Sequence, residues 1–376
     1  MATRTTRRLT IAFVALAACG DAGIRVETTD SAGIRLIENP PVRDVRGTVS
    51  LVDPPRTVLG GVRDDLREEF LGRSGYYTAV RMSNGRIFAH DRDHVKHFDA
   101  EGRLVGVIGR EGDGPGEFRN IYGLCRFRGD SLVVADQQRV MIVSPAGQIV
   151  RQYAPAGGVV GNTCFDDGAV LVGVNDGARV PGVTNFLIIS SVGDTLGRLR
   201  GMATSVYAPV WREVSYAIHR DELYVGDALE MAVRVYDRAG VLRRIVRTRD
   251  VAEPAAIDDP PFEAAAGSGA SRTAAPAPPP GATQPMYSIM AVDGRGRIWL
   301  RTREHRGADV TWVAFGDDGA LTGRLTMIDD VESLPPRTVP WDGRRILRFG
   351  VDEVIVLDRD DSGAFRLSFH GLAVPP

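Results

Sequence analysis

Val95-Lys-His-Phe-Asp-Ala-Glu-Gly102-Arg-Leu-Val is a hydrophobic strand, a polar turn ending in Gly, and the start of a second strand. The same pattern returns as Val140-Met-Ile-Val-Ser-Pro-Ala-Gly147-Gln-Ile-Val, Phe186-Leu-Ile-Ile-Ser-Ser-Val-Gly193-Asp-Thr-Leu, Val233-Arg-Val-Tyr-Asp-Arg-Ala-Gly240-Val-Leu-Arg and Trp312-Val-Ala-Phe-Gly-Asp-Asp-Gly319-Ala-Leu-Thr. The five glycines are 45, 46, 47 and 79 residues apart. A period of about 40 to 50 residues is what a four-stranded propeller blade needs. The expected fold is all-β, a closed ring of such blades.

Composition agrees. The chain has 43 Gly and 22 Pro in 376 residues, which supplies many turns and few uninterrupted helical stretches. A formal charge of −2 offers no footprint for a polyanion, so nucleic acid is not an expected partner. Lys96 is the only lysine, which makes the chain Arg-biased without making it basic.

The N-terminus reads as an export signal. Arg4, Arg7 and Arg8 precede an apolar run from Leu9 to Ala18, too short for the roughly 20 residues that span a bilayer. The run ends Leu16-Ala17-Ala18-Cys19, similar to a bacterial lipobox in which the Cys thiol is acylated after cleavage. Residues 1–18 are therefore read as a lipoprotein signal peptide, Cys19 as the lipidation site, and 19–33 as a flexible tether. Cleavage would take the formal charge from −2 to −5. The alternative is an ordinary signal peptide in which Cys19 is incidental. On the main reading the protein is anchored to a bacterial membrane by its lipid and faces the periplasm or the cell exterior.

The blades follow from a second kind of strand, apolar or alternating and closed by a polar residue. Six occur: Arg86–Asp91, Ser131–Asp136, Ala169–Asn175, Glu222–Asp227, Arg297–Thr302 and Glu353–Asp358. Six second strands predict a six-bladed β-propeller over 34–376. Its last blade holds Ala364–Phe369 as a third strand and lacks a fourth. Pro55–Gly61 resembles the fourth strand Leu104–Gly109 displaced to the N-terminus, and pairing the two would close the ring and remove an open edge. The alternative is that 48–61 form an accessory hairpin. The long interval before Gly319 coincides with an Ala/Pro-rich stretch at about 252–285, expected to be a disordered insertion, either a tolerated loop or a lid over the channel.

Gly109-Arg-Glu-Gly112-Asp-Gly114-Pro-Gly116-Glu-Phe118, followed by Val134-Ala135-Asp136, resembles the blade-to-blade connection of NHL-repeat six-bladed propellers, common among exported bacterial lipoproteins. The likeness covers most of residues 75–370 and implies that fold and address. A phosphate-binding loop is not expected from the same glycines, because no Lys-Ser/Thr follows and no helix begins there.

Candidate site residues are few. Asp91, Asp136, Asn175, Asp227 and Asp358 recur at equivalent strand ends and are read as turn-fixing acceptors. His90, His94 and His97 beside Asp91 and Asp93 have the donors for a metal, but on strands that face neighbouring blades. His219 stands alone. Propeller lyases and lactonases would need ligands from several blades, Glu213 and Asn162 among them, and no such set forms a motif. Cys125 and Cys164 each lie eleven residues before the residue ending their blade's second strand, at equal depth on adjacent inner strands, and with Cys19 acylated they are the two thiols left. They form either a disulfide or two buried free thiols.

The expected function is a ligand- or protein-binding scaffold without a cofactor. Arg81, Tyr122, Arg126, Trp211 and Tyr287 are candidate contacts at the channel mouth for a protein or small-molecule ligand. The alternative is a lactonase- or lyase-like enzyme carrying Ca²⁺ or Zn²⁺ in the channel.

Overall fold

The computed structural model describes residues 26–62, 65–70, 78–91, 93–136, 138–154, 158–165, 167, 169–175, 183–190, 192–203, 216–251, 286–302, 309–328 and 345–373. Cys19, Trp211, Glu213 and the insertion at 252–285 lie outside them.

Three strands come first: β1 (Glu27–Ser31), β2 (Ile34–Asn39) and β3 (Thr48–Gly60). Five antiparallel meanders of four strands follow. They are β4 (Ala79–Arg81) with β5 (Ile87–Asp91), β6 (His94–Phe98) and β7 (Leu104–Ile108), then β8 (Ile121–Phe127) with β9 (Ser131–Asp136), β10 (Val140–Val143) and β11 (Ile149–Tyr153). The third meander is β12 (Gly158–Cys164), β13 (Val170–Asn175), β14 (Val183–Ile189) and β15 (Thr195–Ala203). The fourth is β16 (Tyr216–His219), β17 (Glu222–Asp227), β18 (Ala232–Asp237) and β19 (Leu242–Thr248). The fifth is β20 (Tyr287–Val292), β21 (Ile298–Thr302), β22 (Asp309–Phe315) and β23 (Leu321–Ile328). A last group has three strands: β24 (Arg345–Phe349), β25 (Glu353–Arg359) and β26 (Phe365–Ala373).

Burial explains which sequences became which strands. Middle strands are closed on both faces, so β5, β9 and β10 read as continuous apolar runs, whereas the outer β7 alternates half-buried with exposed residues. The recurring Gly turn has a backbone cause. Asp99 accepts from the Gly102 N–H while its own N–H donates to Arg103, the register slips at Phe98, and Gly102 sits at φ +84°. A turn followed by a one-residue bulge in the left-handed region favours Gly there.

The N-terminal strands decide how the meanders join. β26 pairs antiparallel with β3, Leu367 opposite Leu59 and Phe369 opposite Thr57. The start of β3 pairs parallel with β23 through Arg324–Thr48 and Leu325–Val49. Because β3 serves both neighbours, the described strands form five sheets, not six: three of four strands, one of six and one of eight. The six-stranded sheet arises because β2 adds in parallel to β19 and β1 pairs with β2. Within the tether expected over 19–33, residues 27–31 are therefore a paired strand, and residues 19–25 lie outside the described residues. Glu27–Ser31 are exposed throughout yet form a strand, since backbone pairing needs no buried side chain. Asn39, fully buried, secures the addition by donating to the carbonyls of Gly319 and Arg247 and accepting from the Leu321 N–H.

The core is distributed between sheets. One cluster joins the first two meanders through Phe88, Phe118, Leu124 and Val134, and another joins the second to the third through Val133, Val140 and Leu187. Leu171, Phe186 and Leu223 join the third to the fourth; Tyr224, Val233 and Phe315 join the fourth to the fifth. In the fifth junction Trp299 stacks on Phe349 at 4.5 Å between ring centroids. The sixth, with Leu59, Phe98, Ile355 and Phe369, joins the last group back to the first. The sequence of packed sheets therefore closes on itself. Cys125 and Cys164 are disulfide-bonded across β8 and β12 with Cα atoms 5.8 Å apart, a crosslink worth about 2–4 kcal/mol for a loop of this size.

Candidate functional site

Antiparallel meanders sort their connections between two ends. At one end lie the turns after β4, β6, β8 and their counterparts, none longer than five residues. The strand ends joined by the longest connections, 61–78, 109–120, 204–215, 249–286 and 329–344, are all at the other end. β4, β8, β12, β16, β20 and β24, the first strand of each group, run between the two ends, and β8 lies against both β4 and β12.

The tight-turn end is held by polar ties between neighbours. Asp130 accepts from Ser83 N at 2.9 Å and Ser83 Oγ at 2.6 Å. Arg238 pairs with Asp167 at 2.5 Å and lies over the Phe165 ring. Arg244 donates to the Asp317 carbonyl at 2.8 Å, Arg295 pairs with Asp352, and Arg81 pairs with Glu353 at 3.0 Å. Such pairs are individually weak when exposed, and each links two neighbouring groups of strands.

The expected contact residues separate into different roles. Arg81 is not a free contact: besides Glu353 it donates to the Gly85 carbonyl and Thr57 Oγ1 and lies 4.6 Å from the Phe369 ring centroid. Tyr287 is buried, and its hydroxyl donates to the Ala232 carbonyl at 3.1 Å, so it joins two sheets. Tyr122 is partly buried near the start of β8, where desolvation first, and the Asp136 charge second, raise its pKa. Arg126, near the other end of β8, is exposed; its side chain makes no hydrogen bond or ion pair among the described residues, and its charge helps lower the pKa of Asp130.

A further arginine meets the same strand. Arg348 on β24 is only partly exposed and donates from Nη1 to the Leu124 carbonyl of β8 at 3.0 Å. Desolvation, then the charge of Arg126, lower its pKa. No motif announces it, because Arg348 meets β8 only once the chain has closed.

The charged and aromatic groups of the histidine-rich strands have specific neighbours. Asp91 is buried and taken by Lys96 Nζ at 2.9 Å, and Lys96 also reaches the Glu69 carbonyl and lies over the Phe70 ring. His97 stacks on Phe88 with ring centroids 4.3 Å apart, and burial lowers its pKa. Among the described residues no group of three His, Cys, Asp or Glu is placed to hold a metal ion. His219 borders a cleft of about 390 Å³ between the fourth and fifth meanders. There Tyr224 donates to Glu222 at 2.9 Å and Arg244 to the same carboxylate at 3.1 Å, so these charges already satisfy one another.

The recurring strand-end acids fix local structure. Asp136 accepts from the Arg119 and Gln138 N–H groups, Asp227 from Leu229 N–H and Arg234, and Asp358 from Arg366 and Ser368 Oγ. The Gly-rich connection is filled by its own acid. Glu117 accepts from Gly114 N at 2.8 Å and from Arg110 at 2.8 Å, and a Cβ at Gly112 would come within 2.1 Å of the Glu117 carboxylate. A phosphate would have to displace that carboxylate.

No protein-family model matches the sequence, and no curated protein matches it. Solved structures do resemble it in fold. A Bacteroides fragilis protein described as exported superposes with a TM-score of 0.52 at 9% identity, covering 88% of this chain and all of its own. A member of the DUF4221 family from Bacteroides vulgatus superposes at 0.51 with 12% identity, covering 87% of this chain and 98% of its own. At such identities the likeness is one of fold. The WD40 domain of Neurospora crassa Pan2 aligns with a TM-score of 0.42 and 8% identity over 78% of this chain and 74% of that one.

Proposed function

We propose that this protein is an exported, lipid-anchored binding scaffold built as a six-bladed β-propeller. The count treats the eight-stranded sheet as two blades sharing β3, supported by the six interfaces that return the last group to the first. Export and anchoring rest on the basic flank, the apolar run and the lipobox ending at Cys19; the exported description of the Bacteroides fragilis protein is in keeping with them. The NHL-type assignment rests on the Gly109–Phe118 connection and the strand-turn repeats.

The observation that carries the binding role is the sorting of connections. The five longest leave from one end, while the opposite end has only tight turns. Repeat proteins commonly bind through the end that carries their insertions. β1 begins at this same end, since Glu27 lies opposite Glu38 at the end of β2. A lipid on Cys19 would therefore hold this end toward the membrane, within about 25 Å of chain.

Site-specific photocrosslinking in native membranes tests the reading. A photoreactive residue at Glu111 or Glu230, exposed at the long-connection end, should give discrete adducts, and one at Ala146 or Ala239 in the tight turns should not. Adducts of equal yield from both ends would contradict it.

A further inference from the structure

The arginines of the tight-turn end divide into two kinds. Arg81, Arg238 and Arg295 each have a carboxylate: Glu353, Asp167 and Asp352. Arg126 and Arg348 have none among the described residues, although they lie close enough for the charge of one to disfavour protonation of the other. The nearby acids are engaged. Asp130, four residues beyond Arg126, is hydrogen-bonded by Ser83 and feels the charge of Arg126 without an ion pair to it, and Glu353, five residues beyond Arg348, is committed to Arg81.

The local fold explains why the two arginines meet. β4 is only three residues long, from Ala79 to Arg81. Past this short strand, Arg348 on β24 reaches the Leu124 carbonyl two residues from Arg126 on β8. Its Nη1 is used there. Among the described residues, neither the Nε and Nη2 edge of Arg348 nor the fork of Arg126 is spent on a carboxylate. A guanidinium partly withdrawn from water beside a like charge is unfavourable until an anion completes it, and the planar fork is suited to two oxygens of one group.

We propose that Arg126 and Arg348 form a binding site for an oxyanion, the carboxylate or phosphate group of a small ligand, at the tight-turn end. The site is at the opposite end from the long connections and stands independently of the scaffold reading. Arg348 supplies the fixed half of the site, oriented by the Leu124 carbonyl. Arg126 supplies the accessible half that meets the ligand first.

The test uses the full chain purified in detergent, titrated with inorganic phosphate and separately with succinate, each against sodium chloride at matched ionic strength. Calorimetry and thermal melting follow binding. Saturable binding of at least one oxyanion above the chloride control is expected, and whichever binds more tightly assigns the ligand group as phosphate or carboxylate. Arg126→Gln and Arg348→Gln should each weaken that binding about tenfold or more, while Arg43→Gln, on the exposed N-terminal segment, should leave it unchanged. Without added oxyanion, Arg348→Gln should melt no lower than the wild type, since it removes a desolvated charge that has no carboxylate partner among the described residues. If Arg348→Gln does not fold, the exposed Arg126→Gln decides alone. Absence of saturable binding for both anions, or wild-type affinity in a folded Arg126→Gln or Arg348→Gln variant, would overturn the site.

Discussion

Arg81 and Arg126 have the same side chain on equivalent strands, and only their surroundings give them different tasks. Arg81 spends its fork on Glu353, Gly85 and Thr57 and its flat face on Phe369, linking the first meander to the last group. Arg81→Ala should lower stability by about 1–3 kcal/mol, since it strands a half-buried carboxylate as well as removing contacts. Arg81→Lys should recover little of the loss, because an ammonium lacks the fork. Equilibrium denaturation in urea, read for both variants, checks the size and the order. Residue roles of this kind were only partly legible in the sequence. Arg81 and Glu353 are separated by 272 positions, and nothing local to either indicates the other. Tyr287 illustrates the same limit, since its partner is the Ala232 carbonyl on another sheet. The strand-end acids were legible because their partners are mostly neighbours in sequence, as with Asp136 and Gln138 or Asp227 and Leu229.

Among the elements, the turns and middle strands were readable and the N-terminal strap was not. Each of the six segments read as a second strand contains one, from β5 to β25, because burial on both faces leaves a continuous apolar run. β1, β2 and the start of β3 join the edges of existing sheets, where backbone pairing imposes little side-chain pattern. The end of the strap is fastened by Asp360, which accepts from Ser362 Oγ and from the N–H groups of Val62, at 2.8 Å, and Ala364, at 3.0 Å. These bonds, the Ser362 hydroxyl first, hold its pKa at about 2, below its ordinary 3.8. A depressed carboxylate pKa stabilises the fold above the unfolded value, and the contribution disappears as pH falls through the folded one. The clasp should therefore be intact above about pH 4 and lost between about pH 4 and pH 2. Asp360→Asn should lower the melting temperature at pH 7 and flatten the acid limb over that window. An unchanged acid limb in the variant would show that Asp360 does not fasten the strap.

At the scale of the whole molecule, the central claim is closure. The chain packs each sheet on the next until the last group meets the first, and β3 supplies the strand that the C-terminal group lacks. The repeat spacing made a ring readable, and the missing fourth strand made an N-terminal contribution readable. The sharing of β3 between β23 and β26 was not, because Thr48 and Val49 pair with β23 through backbone groups at positions carrying no repeat signature. Closure makes a cooperative demand: β3 and β26 can open only when the ring opens. Native-state hydrogen exchange read by mass spectrometry measures this directly. The account predicts that the paired amides of residues 57–60 and 366–369 exchange as slowly as those of β25 and lose protection together with it at one denaturant concentration. Exchange of residues 48–60 orders of magnitude faster than β25, with β25 still protected, would contradict closure of the ring by this strand.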